Sequence, residues 1–492
     1  MSAVRKAIVF SFLESYFGLA LNIASFTLLA RLLTPQQIGL YSVALAIISV
    51  MQVIRDFGLV NFLIQKKELT EDYISTAWGL SLLLGGSLFL LVQLGAPLLG
   101  RFYSNDTITT ITRIVAFNFL LLPLNSVCLA LLKRDMKFQM VMRINMSAAA
   151  IGTMCTLLLA WLGWGALSLA IGSIVNSATV AISILLIGSA AQLGKPSFAR
   201  MREVLTFGGQ LTAANIITSI SMDINDLAVG KILGFNAVAM ISRGQGLMNL
   251  FHRDFMGAVR NVAFPAFAQA NRDGQLMEEK YITAVTAVTA LAWPFYGFMS
   301  LFPLDIIRIM FGTQWDPAAA LVPYFCIAGA FSASINLIQT LVMALGHANL
   351  VSRAEFIFQP IRAIALTAVI FYFRELEPFA MMFLTVSLLS VPYFYYIKQQ
   401  CLPSDLPLLG KKLGGNLLLT VVTLLPGALV QHFLRQVSAP LGIPTFLFCV
   451  VLTATAWLAC LILMRHPLYL EINQMLGRRR KAASIAAMEK VL

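Results

Sequence analysis

A chain of 492 residues with 59% hydrophobic and only 12% charged residues carries more apolar surface than a soluble fold can bury, since globular chains are about one-quarter charged. Its mean hydropathy of +0.82 makes it a polytopic membrane protein, and apolar runs of about twenty residues or longer point to spanning helices and are far too long for barrel strands. The net charge of +13, from 35 Lys and Arg against 22 Asp and Glu, fits cation-rich cytoplasmic loops and gives no reason to invoke nucleic acid.

The N-terminus, Met1-Ser2-Ala3-Val4-Arg5-Lys6, turns apolar and no small-residue cleavage site ends that run. It is expected to be a first helix rather than a removable signal. Six spans are predicted over 8–30, 38–61, 74–99, 108–132, 143–163 and 166–190. A polar break, Gln192 to Glu203, separates them from a second six over 207–230, 236–260, 281–302, 319–345, 353–373 and 379–397. Two further spans follow over 413–434 and 443–464. The expected organisation is therefore an N-terminal six-helix bundle (1–191), a cytoplasmic linker (192–206) and a C-terminal six-helix bundle (207–397). A cytoplasmic loop with two extra helices (398–464) and a basic cytoplasmic tail (465–492) containing Arg478-Arg479-Arg480-Lys481 complete it.

Orientation follows from the cations between spans. With the N-terminus cytoplasmic, inside loops collect Lys66, Lys67, Lys133, Arg134, Lys195, Arg200, Arg202, Arg272, Lys280, Lys411, Lys412 and the tail cluster. Outside segments hold single cations such as Arg31, Arg101 and Lys231. That asymmetry predicts about fourteen helices with both termini cytoplasmic. The outside segments are too short for a catalytic domain, which argues against a membrane enzyme such as a polymerase or ligase. Cys128, Cys155, Cys326, Cys401, Cys449 and Cys460 lack ligand spacing, so neither a metal site nor a cofactor is expected.

The halves repeat. Val53-Ile54-Arg55-Asp56-Phe57-Gly58 returns as Phe251-His252-Arg253-Asp254-Phe255-Met256-Gly257, and Leu29-Ala30-Arg31-Leu32-Leu33 as Val229-Gly230-Lys231-Ile232-Leu233. An even helix count per half makes the repeats parallel, as in transporters that bind substrate near the repeat interface.

Charged residues inside lipid are costly and face partners or water-filled cavities. At about 1.5 Å per residue, Arg55 lies about 25 Å along the second span and Glu14 about 9 Å into the first. Glu14, Arg55 and Asp56 can thus share one depth near the cytoplasmic boundary, as can Arg253 and Asp254. These read as a paired entrance or inner gate; the competing reading is cations snorkelling to the headgroups. Arg243 sits about 10 Å below the outer end of the eighth span, and Arg362 about 14 Å into the eleventh, near the midplane. The planar fork of Arg362 suits a group that offers two anionic oxygens; a structural pair within the second bundle is the alternative. Asp223 and Asp226 share one face of the seventh span, which also carries Asn215, Thr218, Ser219, Ser221 and Asn225. That face offers a cation- or proton-coupling site or polar contacts for a substrate; salt bridges to Arg243 or Lys231 are the structural alternative. His252 is expected to pack, and Tyr393-Phe394-Tyr395-Tyr396 to form an interfacial belt.

Ala30-Arg31-Leu32-Leu33-Thr34-Pro35 with Gly39-Leu40-Tyr41-Ser42 resembles the opening hairpin of bacterial polysaccharide flippases. Ile64-Gln65-Lys66-Lys67-Glu68, Phe264-Pro265-Ala266-Phe267-Ala268, Phe311-Gly312 with Trp315, and Arg465-His466-Pro467-Leu468 extend the likeness over nearly the whole chain. The family is that of the Wzx-type exporters of the multidrug/oligosaccharidyl-lipid/polysaccharide superfamily, in the branch resembling the colanic acid exporter. The resemblance implies a V-shaped, all-helical transporter of the bacterial inner membrane, with an undecaprenyl-diphosphate-linked oligosaccharide as substrate. A polysaccharide polymerase or export complex is the implied partner. The expected substrate-binding residues are Arg362, Arg243, Arg55 and Arg253, and the expected coupling or gating residues Glu14, Asp56, Asp223, Asp226 and Asp254. A cation-coupled drug or small-molecule antiporter on the same fold is the alternative.

Overall fold

The computed structural model describes residues 3–56, 58–66, 68–435 and 442–469. The basic tail beyond Tyr469 lies outside the described residues, and so do the side chains of Asp56, Asn215 and Thr218. Helices account for all regular structure among the described residues, with no strand. They divide into two compact units, one formed by the described residues of 1–242 and 356–376, the other by those of 243–355 and from 377 onward.

The first unit opens with α1 (Ala3–Leu32) and α2 (Pro35–Asp56). The turn between them is fixed reciprocally. Gln37 Oε1 accepts from the Thr34 amide at 3.0 Å, and the Thr34 hydroxyl accepts from the Gln37 amide at 3.4 Å. This is a capping box with proline at the first helical position. The second predicted span does not run to residue 61. It stops at Asp56, and Gly58 takes φ 65° to start α3 (Leu59–Gln65), a left-handed conformation that glycine adopts without a Cβ penalty. Next come α4 (Glu71–Tyr103), α5 (Asp106–Ala116) and α6 (Asn118–Arg134), the last two broken at Phe117, then α7 (Phe138–Trp161) and α8 (Ala166–Ile187). Gly152 and Gly172 let α7 and α8 approach closely: a Cβ on Gly172 would overlap the Thr156 hydroxyl, and one on Gly152 would press on Asn176. Small residues at such contacts are how helices pack where lipid supplies no hydrophobic drive. Helix α9 (Met201–Ile232) lies against α2, and α10 (Phe235–Asn249) follows it, in the first unit as far as Ser242.

The second unit takes up α10 at Arg243. A π-helical turn, Leu250–Phe255, leads into α11 (Met256–Arg272), then α12 (Met277–Leu301), α13 (Pro303–Phe311), α14 (Asp316–Ala319), α15 (Val322–Ile335) and α16 (Ile338–Ala344). Helix α17 (Ala348–Phe373) passes from this unit to the first at Phe356, and α18 (Leu376–Gln399), α19 (Leu406–Arg435) and α20 (Ile443–Leu463) belong here. The last two helices pack on α12. The Trp457 indole donates to the Ala290 carbonyl at 2.9 Å, and Asn416 donates to the Thr286 carbonyl at 2.8 Å and to Thr289 Oγ1 at 2.7 Å.

Among the described residues, 11 helices are long and apolar enough to cross a membrane. The remaining three predicted spans fall on α1, on the polar α9, and on α10 with its π-turn and α11. The tyrosine belt is a mixture. Tyr395 is buried, and its hydroxyl meets Tyr281 at 3.2 Å and donates to the Ser334 carbonyl at 3.1 Å, whereas Tyr396 is exposed.

Candidate functional site

In the first unit the polar face of α9 meets hydroxyls from two other helices. Asp223 accepts hydrogen bonds from Ser219 at 3.1 Å, one turn earlier, and from Ser49 of α2. Asn225 is buried and accepts from Thr367 of α17 at 3.5 Å. Asp226, at i+3 from Asp223, is half-buried. Arg362 is half-buried on α17, five residues and thus about 7.5 Å along the axis from Thr367. The two carboxylates, an amide and hydroxyls therefore share α9 with its neighbours, and Arg362 belongs to the same unit. Lys231 does not pair with these carboxylates but donates to the Phe102 carbonyl, with its ammonium 4.5 Å from the Phe102 ring centre.

Close packing brings α2 and α4 against α9 and the first residue of α10. Gly39 touches Phe235, where any Cβ would overlap the carbonyl oxygen, Gly230 faces Val43, and Tyr103 donates to the Leu227 carbonyl at 3.1 Å.

The two copies of the Arg-Asp motif occupy different environments. Arg55 is 8% exposed and lines a polar cavity in the first unit. The Arg253 side chain is 64% exposed and its Nε donates to Asp254 Oδ1 at 2.9 Å. Each copy coincides with a backbone irregularity: α2 ends at the first, and the second forms the π-turn. Such π-bulges recur at functional sites. His252 packs by its Nδ1 within 3.4 Å of the Asn336 amide, whose Oδ1 accepts from Arg260 at 2.6 Å. Asn336 lies where α15 breaks into α16.

Glu14 accepts from Asn145 at 2.7 Å and lines a second cavity of the first unit, of about 670 Å³. Arg243 is 4% exposed in the second unit, and its guanidinium carbon lies 5.2 Å from the Phe311 ring centre and 4.8 Å from that of Trp315. Guanidinium stacking on aromatic faces is stabilising, so these rings hold Arg243 in place. The same segment carries a forked pair, Arg308 Nε to Asp316 Oδ1 at 2.9 Å and Nη2 to Oδ2 at 2.6 Å. The Arg308 hydrogen bonds hold the Asp316 carboxyl below its usual range.

Sequence reasoning did not single out Ser49, Thr367, Asn118, Asn145 or Asn176. The asparagines did carry a signal, because amides inside predicted spans must find partners or line a cavity. Ser49 and Thr367 carried none, since one hydroxyl in an apolar run can bond back to its own helix.

Similar proteins place this arrangement in context. The chain is 25% identical over 337 residues to the lipopolysaccharide biosynthesis protein WzxC of Escherichia coli K12, covering 68% of each chain. It is 24% identical over 377 residues to the succinoglycan biosynthesis transport protein ExoT of Rhizobium meliloti, covering 75% of this chain and 74% of the relative. The lipid II flippase MurJ, in an inward closed conformation, shares the fold with a TM-score of 0.73 at 13% identity, over 93% of this chain and 99% of the other. A multidrug resistance transporter of the MATE family in its inward-facing conformation gives a TM-score of 0.62 at 13% identity, over 80% of this chain and 96% of the other. Residues 28–320, more than half of the chain, match the polysaccharide biosynthesis protein family, and the chain belongs to that family.

Proposed function

We propose that this protein is a flippase that moves undecaprenyl-diphosphate-linked oligosaccharide repeat units from the cytoplasmic to the periplasmic leaflet of a bacterial inner membrane, for exopolysaccharide synthesis. The observation that carries this reading is the polar, charged face of α9 with Arg362 in its unit, within a chain of the polysaccharide biosynthesis family. Fourteen spanning helices in two parallel six-helix repeats plus two, with both termini cytoplasmic, are the organisation that the cation asymmetry supports. Arg55 and Arg253 meet the diphosphate at the cytoplasmic entrance, with Asp56 and Asp254 as their exchange partners, and Arg362 meets it deeper in the membrane. A fork of donors binds two phosphate oxygens at once. The polyprenyl tail stays in lipid, so the protein acts by alternating access and catalyses no covalent step.

A second reading, cation-coupled antiport of a small molecule, is favoured by one observation: the Asp223 carboxylate has two hydroxyl oxygens beside it, from Ser219 and Ser49, and hard cations are bound by such clustered oxygens. In the flippase this is the coupling site, with Asp226 beside it and Glu14 as a further carboxylate. Purified protein in vesicles loaded with a lipid-linked oligosaccharide tests the choice. Transfer of the sugar head to the opposite leaflet supports the flippase. Export of a cationic dye in the absence of any lipid-linked sugar, with no headgroup transfer, supports the antiporter. A polysaccharide polymerase or export complex is the partner that would consume the flipped repeat.

A further inference from the structure

The interior of the N-terminal helices of the first unit holds polar space that the charges of α9 and α17 do not explain. One cavity of about 410 Å³ is lined by Gln52, Arg55, Asn118, Thr156, Ser173 and Asn176. The cavity of about 670 Å³ that contains Glu14 is also lined by Lys133, Asn145 and the same Asn176. Both volumes lie in the range of small-molecule sites, about 300–1,000 Å³.

Asn118 shows that the smaller cavity is built for a ligand with donors. The residue is 5% exposed. Its Nδ2 donates to the Val115 carbonyl at 3.0 Å and to Ser173 Oγ at 3.1 Å, which fixes the orientation of the amide. Ser173 spends its own proton on the Ala170 carbonyl at 2.7 Å. The Asn118 Oδ1 is buried and accepts no hydrogen bond among the described residues. Buried amide oxygens are nearly always satisfied, so an acceptor held unsatisfied at a cavity wall calls for a donor from outside the chain.

We propose that this cavity is a subsite for one neutral, hexose-sized sugar residue of the lipid-linked oligosaccharide, with Asn118 and Asn176 as its recognition residues. The proposal rests on the flippase reading and adds where the sugar, as distinct from the diphosphate, is read. The lining supplies amides and hydroxyls, which donate and accept as sugar hydroxyls do. Arg55, the one cation among its described lining residues, ties the subsite to the diphosphate entrance. Among the described residues that line the smaller cavity there is a guanidinium and no carboxylate, which disfavours a cationic guest. Asn176 sits where the two cavities adjoin, held by the close approach of Gly152 to its Cβ.

The test uses full-length protein in lipid nanodiscs and two probes, undecaprenyl diphosphate and the same lipid carrying one hexose. Asn176→Ala keeps the Cβ that packs on Gly152, and Asn118→Ala is the second variant; thermal melting confirms that each is folded. Each variant should bind the hexose-bearing lipid about fivefold to tenfold more weakly, the worth of one hydrogen bond. Binding of the sugarless diphosphate should stay within about twofold of wild type. If both folded variants bind both lipids like wild type, the subsite is overturned while the flippase reading stands. If wild type binds neither lipid, the flippase reading falls and takes the subsite with it. If free hexose competes as well as the lipid-linked form, the cavity serves a soluble sugar and the proposal is overturned.

Discussion

Replacing Arg253 separates a role in transport from a role in stability. Its side chain is 64% exposed and its contact is an ion pair with the adjacent Asp254 at 2.9 Å. Exposed pairs of this kind contribute about 0.2–1 kcal/mol, so Arg253→Ala should shift thermal stability by no more than about 1 kcal/mol. A guanidinium bonded to a diphosphate oxygen makes a charge-assisted hydrogen bond worth about 1.5–3 kcal/mol. At 1.4 kcal/mol per decade that is a loss of roughly 10- to 150-fold in transport. Arg253→Lys keeps the charge but not the fork, and should fall between wild type and Arg253→Ala. Reconstituted vesicles with a labelled lipid-linked oligosaccharide give the rate, and thermal melting in detergent gives the stability. A folded Arg253→Ala protein that flips at more than half the wild-type rate would refute the assignment. Arg55 cannot serve this purpose: it is buried, and removing a buried charge costs several kcal/mol through the groups left behind.

Other perturbations read other parts of the molecule. Gly39→Ala places a methyl group into the Phe235 carbonyl; overpacking of this kind costs about 1–3 kcal/mol, and a melting curve of the purified variant should shift downward accordingly. Asp223→Asn keeps partners for Ser49 and Ser219 but removes the titrating group. The variant should flip downhill substrate while losing the response of the rate to an imposed ion gradient, and a rate that still follows the gradient would remove Asp223 from coupling. Just beyond the C-terminal end of α20, the His466 Nε2 lies 2.9 Å from Asn416 Oδ1, and its Nδ1 accepts from the Leu468 amide at 3.2 Å. These contacts require the neutral ring, and burial, with a smaller contribution from Lys412, holds the His466 pKa below its ordinary value. A lowered histidine pKa means the unfolded chain binds the proton first as pH falls, so this contribution is full above about pH 6.5 and shrinks below it. Wild type should therefore lose more thermal stability than His466→Gln between about pH 7.5 and 5.5, and equal losses would show that His466 does not titrate there.

Hydropathy and charge made the helices legible because lipid demands them. Predicted spans over 166–190 and 443–464 agree with α8, Ala166–Ile187, and α20, Ile443–Leu463, to within a few residues. What the pattern could not show was a change inside a helix. The breaks at Gly58, Phe117 and Asn336 and the π-turn at Leu250–Phe255 leave local hydrophobicity almost untouched. The repeated Arg-Asp motif marked two of these places, although it was singled out for its charge rather than for its backbone. Position along a helix is readable from the sequence, whereas direction around it is not. Arg243 and Arg253 are ten residues apart, about three helical turns, yet one lies stacked among Phe311 and Trp315 and the other is exposed. Which aromatic side chains receive an arginine depends on long-range packing that a single sequence does not encode locally.

The proposed cargo is a sugar head on a diphosphate-linked lipid. The most direct test is transbilayer movement of an undecaprenyl-diphosphate-linked oligosaccharide in vesicles containing only the purified protein, read by access of the sugar to a membrane-impermeant lectin. The account predicts that the protein speeds exposure of the sugar on the opposite leaflet, and that Arg362→Ala abolishes the acceleration while the protein remains folded. Sugar exposure no faster than in protein-free vesicles, together with uptake of a cationic dye that depends on Asp223, would contradict it.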